Sequence, residues 1–131
     1  AQSRDFTYVA DVVQANLLAA DAGNLAGRVV NVAAGRSAPV HALADTIGTL
    51  MGRPVRKQYR APRQSEVRDS WADIGEARRA LGYEPRVTFE EGLRLTMDAL
   101  LARNNGRPAH EPARSPVQAI DDAYGAGARA R

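Results

Sequence analysis

The sequence predicts an α/β fold of short strands and amphipathic helices, and three observations carry that prediction. A β-branched run, Val29, Val30 and Val32, leads through Ala33-Ala34-Gly35 into apolar residues at helical spacing, so a strand, a turn and a helix follow one another. Asp73 with Glu76, and Thr88 with Glu91, have the spacing of a reciprocal capping box in front of an apolar run. A further stripe, Val9, Val12, Val13, Leu17 and Ala20, repeats with the period of one helix face.

A chain of 131 residues, 44% hydrophobic and 25% charged, has the length and balance of one globular domain. Only 5% is aromatic, so the core must rest on Val, Leu, Ile and Ala. With no cysteine there is neither a disulfide framework nor a thiolate metal site, and His41 and His110 stand too far apart for a histidine pair. No metal is expected. No apolar run approaches the roughly 20 residues of a membrane span, and a soluble cytoplasmic protein is the expectation. The net charge is +3 with Lys57 the only lysine. A pI near 9.8 raises nucleic acid as a partner, but the arginines are interleaved with acids and no aromatic platform accompanies them, so no nucleic-acid role is expected.

In chain order, Phe6 and Tyr8 alternate with Asp5 and Thr7, the period of a half-buried strand. A helix follows from Val9 or Ala10 to about Ala22, ended by Gly23, with Asp11 in the first turn where a carboxylate meets the positive end of the dipole. After the strand at 29–32, Ser37 caps a helix with Pro39 near its first turn, and Val40, Leu43, Ala44, Ile47, Leu50 and Met51 continue it until Gly52. His41 reads as an exposed polar residue. Val55 to Tyr59 alternates as another strand, and the loop that follows ends at Trp71, whose ring is expected to bury where loop meets core.

A helix over 74–81 closes at Gly82, and Thr88 opens another over Phe89, Leu93, Thr96, Met97, Leu100 and Leu101. Past Asn104 the pattern dissolves into Pro, Gly, Ala and Arg. Residues 1–103 therefore read as the folded region and 104–131 as a disordered tail. The chain opens on Ala1 rather than methionine and runs straight into its first motif, the start expected of a piece cut from a longer protein.

No Gly-x-Gly-x-x-Gly, P-loop, Tyr-x-x-x-Lys or Ser/His/Asp set with supporting context is present, so no general base is assigned. What remains is binding chemistry. On the loop between Arg60 and Trp71, the Arg63 guanidinium offers a rigid fork of donors suited to phosphate oxygens, and the Glu66 carboxylate can accept from vicinal hydroxyls. Arg4 can add a second cation. The same charges also suit a solvated surface loop and a strand-end salt bridge.

Four segments then make a pattern: Ser-Arg-Asp-Phe-Thr-Tyr-Val-Ala-Asp-Val-Val at 3–13, Val-Val-Asn-Val-Ala-Ala-Gly-Arg-Ser at 29–37, Arg-Gln-Ser-Glu-Val-Arg-Asp-Ser-Trp-Ala-Asp at 63–73, and Leu-Gly-Tyr-Glu-Pro at 81–85 followed by Phe-Glu-Glu-Gly-Leu. In that order and spacing, from about Ser3 to Leu101, the chain resembles the C-terminal third of the NAD-dependent epimerase/dehydratase family. These are extended short-chain dehydrogenases acting on nucleotide sugars, and the likeness is greatest to their UDP-glucose 4-epimerase branch.

The resemblance implies that Arg4 and Arg63 contact the UDP diphosphate, that Glu66 stands where the family bonds the ribose hydroxyls with an aspartate, and that Phe6 and Val40 line the nucleotide side of the pocket. It departs from the family at Gln64-Ser65-Glu66, where Arg-x-Gly-Asp is frequent, and at Ser70, where some epimerases have a tyrosine beside the sugar. It further implies that NAD is bound by an N-terminal Rossmann half absent from this chain, which would also be its partner, and that the parent is a homodimer. On this view the chain is a UDP-sugar-binding part of an epimerase, inactive by itself. The alternative is a non-catalytic sugar-nucleotide-binding or regulatory protein.

Overall fold

The computed structural model describes residues 2–23, 25, 27–61 and 64–104. Arg63 and the tail from residue 105, including His110, lie outside the described residues. The elements run β1 (Ser3–Arg4), α1 (Val9–Asp21), β2 (Ala38–Pro39), α2 (Val40–Leu50), α3 (Gly75–Leu81) and α4 (Phe89–Asn104).

The helices sit close to where their periodicity predicts them. α1 packs on α3 and α2 on α4. Ile74, Ala77, Leu81 and Tyr83 close with Ala15 and Ala33 into the core, where small side chains let the backbones approach. Tyr83, fully buried, donates its hydroxyl hydrogen to the Ala33 carbonyl at 2.9 Å. Burial, then the nearby carboxylates of Asp11, Asp5 and Glu84, push its phenol from 10.0 up to about 12.

The strands depart from expectation. β1 covers only Ser3–Arg4, with Phe6 and Tyr8 beyond its end, and it pairs antiparallel with β2 in the register Ser3 to Pro39 and Arg4 to Ala38. On its other side Ser3 forms a parallel bridge with Asp69. The runs at 29–32 and 55–59 form no ladder among the described residues. β propensity reports a fit to a pleated neighbour rather than a backbone state, and Val29, 92% exposed, has no such neighbour here.

The caps depart from the spacing too: α2 starts after Pro39 without a side-chain bond from Ser37, α3 starts after Ile74 rather than Asp73, and only the Thr88 box is half formed. Asp73 Oδ1 accepts from the Gly75 amide at 2.7 Å, but Glu76 turns outward to Arg28 and Arg79. Thr88 Oγ1 accepts from the Glu91 amide at 3.2 Å while the Glu91 carboxylate pairs with Arg94, which lowers its pKa through that hydrogen bond. An arginine one turn along the helix outcompetes the single backbone N–H that closes the box. Trp71 is 65% exposed rather than buried; Ile74, 3% exposed, fills the core position instead.

Candidate functional site

The candidate site is built at the end of β1. Backbone bonds hold the 67–70 segment against this strand: the Ser3 amide donates to Arg68 O at 3.0 Å and the Ser70 amide to Ser3 O at 3.2 Å. Ser3 Oγ adds a bond to Asp69 Oδ1 at 2.7 Å. Across β1, the Val40 amide donates to Gln2 O at 2.8 Å, so the first residue of α2 is fixed to the same strand.

Arg4 reaches along this rim. Its Nη1 donates to the carbonyls of Ser3 at 2.7 Å and Arg68 at 3.1 Å, and Nη2 to Val67 O at 2.6 Å. Neutral carbonyls orient the guanidinium without cancelling its charge. The fork therefore keeps its attraction for an anion and has Nε and one Nη2 proton left to offer it. Among the described residues Arg4 makes no strand-end salt bridge, the arrangement that the sequence also allows.

Beside Arg4 the chain turns inward. Asp5 Oδ1 accepts from the Ala34 amide at 2.9 Å and from Thr7 Oγ1 at 3.4 Å, while Oδ2 accepts from the amides of Gly35 at 3.0 Å and Ala72 at 3.4 Å. Thr7 Oγ1 accepts a second bond from the Ala34 amide at 3.1 Å. Phe6 lies against Phe89 with ring centroids 5.2 Å apart and the planes tilted by 42°.

These two rings, with Ala34, Arg36, Ser37, Ala38 and Glu90, bound a cavity of about 180 Å³. It has an aromatic floor, one cation and one carboxylate. A larger, more open hollow of about 470 Å³ lies at the far end of α2, lined by Asp45, Gly48, Thr49, Gly52, Arg53, Pro54 and Val55. The smaller cavity is the better candidate, because apolar walls and polar groups converge there and Arg4 stands two residues from Phe6.

Of the sequence-predicted site residues, Arg4 and Phe6 are neighbours on one rim, and Val40, 36% exposed, starts α2 across β1 from it. Glu66 is exposed on the segment whose next two carbonyls hold the Arg4 guanidinium. Sequence reasoning passed over Asp5, Arg36 and Phe89. Asp5 stood inside a quoted motif between two nominated residues, and that adjacency was the one signal available for it. Asp11, read as a dipole partner, is fully buried and accepts from the amides of Arg86 at 3.0 Å and Val87 at 3.3 Å, fixing the approach to α4.

The residues present do not fit a dinucleotide. A pyrophosphate cradle needs free backbone N–H groups at a glycine turn entering a helix. The turn that enters α2 has Gly35 at φ 70°, but the amides of Ala34 and Gly35 are already donated to the Asp5 carboxylate, whose negative charge opposes a phosphate. Among the described residues no group of three or more His, Asp or Glu could hold a metal ion, and no helix is long and apolar enough to cross a membrane.

Residues 1–96 match the family model described as GDP-mannose 4,6 dehydratase. A putative UDP-glucose 4-epimerase of Methanocaldococcus jannaschii is 35% identical over 106 residues, covering 81% of this chain and 33% of the relative. Among solved structures, the UDP-glucose 4-epimerase of Thermotoga maritima with UDP-glucose superposes with a TM-score of 0.72 at 38% identity, over 79% of this chain and 33% of that one. The UDP-glucuronic acid 4-epimerase of Bacillus cereus, in complex with UDP-glucuronic acid and NAD, gives 0.66 at 29% identity, over 70% of this chain and 30% of that one. The chain thus spans about a third of the length of the relatives it matches.

Proposed function

Because the chain belongs to the GDP-mannose 4,6 dehydratase family of extended short-chain dehydrogenases, we propose that it is the nucleotide-sugar-binding C-terminal part of an NAD-dependent epimerase of the UDP-glucose 4-epimerase kind. Arg4 and Arg63 grip the diphosphate, Glu66 holds the ribose hydroxyls, and Phe6 and Val40 line the nucleotide side. Inversion at C4 requires a hydride acceptor, NAD, held by an N-terminal Rossmann half that these residues do not supply. This chain's share is to bind the UDP handle and so place a distant carbon for reaction.

The observation that carries this reading is the Arg4 guanidinium, oriented by three carbonyls beside an aromatic cavity and against the segment that bears Glu66. Fusing this chain behind the dinucleotide-binding half of the Thermotoga maritima enzyme tests it. The fusion should interconvert UDP-glucose and UDP-galactose, and Arg4→Ala or Arg63→Ala should raise KM for the UDP-sugar at least about tenfold, as loss of a charge-assisted phosphate contact does. A folded fusion that binds no UDP, or an Arg63→Ala variant with unchanged KM, would overturn the assignment.

A further inference from the structure

Two residues of this extended segment turn to one side and two to the other. Arg4 and Phe6 reach the 67–68 carbonyls and the cavity, whereas Asp5 and Thr7 bond the turn at Ala34. Alternate side chains on an extended segment point to opposite sides, so whatever fixes Asp5 also fixes the direction of Arg4 and Phe6. Both Asp5 oxygens are engaged, and they gather N–H donors from two segments distant in sequence: Ala34 and Gly35 before α2, and Ala72 after the 64–71 loop.

We propose that Asp5 is the positioning residue of the nucleotide site: its carboxylate locks the Arg4 guanidinium, the cavity wall at 34–38 and the loop bearing Glu66 into one frame. The inference rests on the proposed function for its ligand and on the hydrogen bonds alone for its geometry. A carboxylate suits this task because it accepts at both oxygens, while asparagine accepts at one and brings an N–H₂ group toward amides that are themselves donors. Losing the acceptor leaves N–H groups from both segments without partners, so the two segments loosen together rather than singly.

The test uses the ¹⁵N-labelled 131-residue chain as wild type and as Asp5→Asn, following the amides of Ala34, Gly35 and Ala72, the Arg4 guanidinium signals, and titration with UDP. Asp5→Asn should keep its helical circular dichroism and the protection of Ala77 and Leu81, while the amides of Gly35 and Ala72, which share Oδ2, lose roughly tenfold or more in exchange protection together and Ala34, which keeps Thr7 Oγ1 as an acceptor, loses less. The Arg4 guanidinium should lose its restricted rotation, and UDP affinity should fall about tenfold, the usual scale for removing the support behind a ligand-binding group.

Wild-type-like Arg4 signals in Asp5→Asn would overturn the proposal, as would unchanged UDP affinity after the Gly35 and Ala72 amides are released. A wild-type chain that binds no UDP by itself fits a half-site completed by the other half, and the Arg4 signal then decides the positioning role. Should Asp5→Asn not fold, Asp5→Glu, one methylene longer with the charge kept, must show the same local loosening with the core intact. Undisturbed Arg4 and amide signals in that variant would overturn it.

Discussion

The α1/α3 side and the α2 side of the molecule are held by different kinds of contact. On the first, Tyr83, Ala77 and Asp11 are fully buried, and the Ala33 carbonyl and the Asp11 carboxylate each accept from a donor far along the chain. On the second, Gly48 is the buried residue of α2, residues 51–60 are exposed throughout, and the charge contact is the Lys57–Asp45 pair at 2.5 Å. Cohesion is therefore concentrated where small side chains and buried polar groups coincide. Substitutions should be costly on one side and nearly silent on the other.

The sharpest way to break the comparison is Tyr83→Ala. Removing a fully buried aromatic leaves a cavity and strands the Ala33 carbonyl, a loss of about 4 kcal/mol. That is comparable with the whole stability of a domain this size, so cooperative unfolding in urea should vanish. Tyr83→Phe keeps the ring and should cost only about 1 kcal/mol by the same measurement. A cooperative transition surviving Tyr83→Ala would show that the core lies elsewhere.

Alkaline pH probes the same residue without mutation. The phenol ionises near 10.0 when unfolded and at about 12 when folded, so the folded state favours the neutral form. The contribution is whole below pH 10 and is lost as pH rises toward 12, on the order of 2–3 kcal/mol in all. Denaturation midpoints should fall across that window, and the fall should be smaller in Tyr83→Phe. A flat profile in the wild type would mean that Tyr83 is not buried as described.

How much of this was legible in the sequence follows from the range of each interaction. The helices are local: the stripes in α1 and α2 and the cap residue Thr88 place them within a few residues, because a helix satisfies its own backbone. Strands are not local, and the runs at 29–32 and 55–59 show why, since β-branched residues cannot form a ladder without a partner. Trp71 was misread for a related reason: near a helix start either Trp71 or Ile74 can face the core, and only packing decides that Ile74 does. In the proposed site, Arg4 and Phe6 were nominated through motif resemblance. Asp5 was not, because its partners at Ala34 and Ala72 lie 29 and 67 positions away and nothing in composition or period connects them.

Gly35→Ala tests the seam between the two sides. At φ 70° an L side chain is strained, and its Cβ would meet the buried Ile74 side chain at 2.9 Å from Cδ1 and 3.1 Å from Cγ1, so that side chain has to shift. The expected loss is about 1–2 kcal/mol in urea denaturation, part backbone strain and part displacement of Ile74. Combining it with Ile74→Val makes room for the methyl group. The double variant should therefore lose less than the sum of the single variants, and strict additivity would mean that strain alone sets the cost.

The smallest effect is expected from Lys57→Ala on the α2 side. Its ammonium bridges Asp45 at the rim of the larger hollow, but Asp45 keeps 57% of its side chain exposed and water screens the pair. Removal should cost no more than about 0.5 kcal/mol, and the difference from wild type should shrink further as salt is raised. If Lys57→Ala instead cost as much as Gly35→Ala, the 53–60 segment would be held down through that pair. The contrast between a cohesive side and a loosely covered one would then fail at the point where it is most exposed.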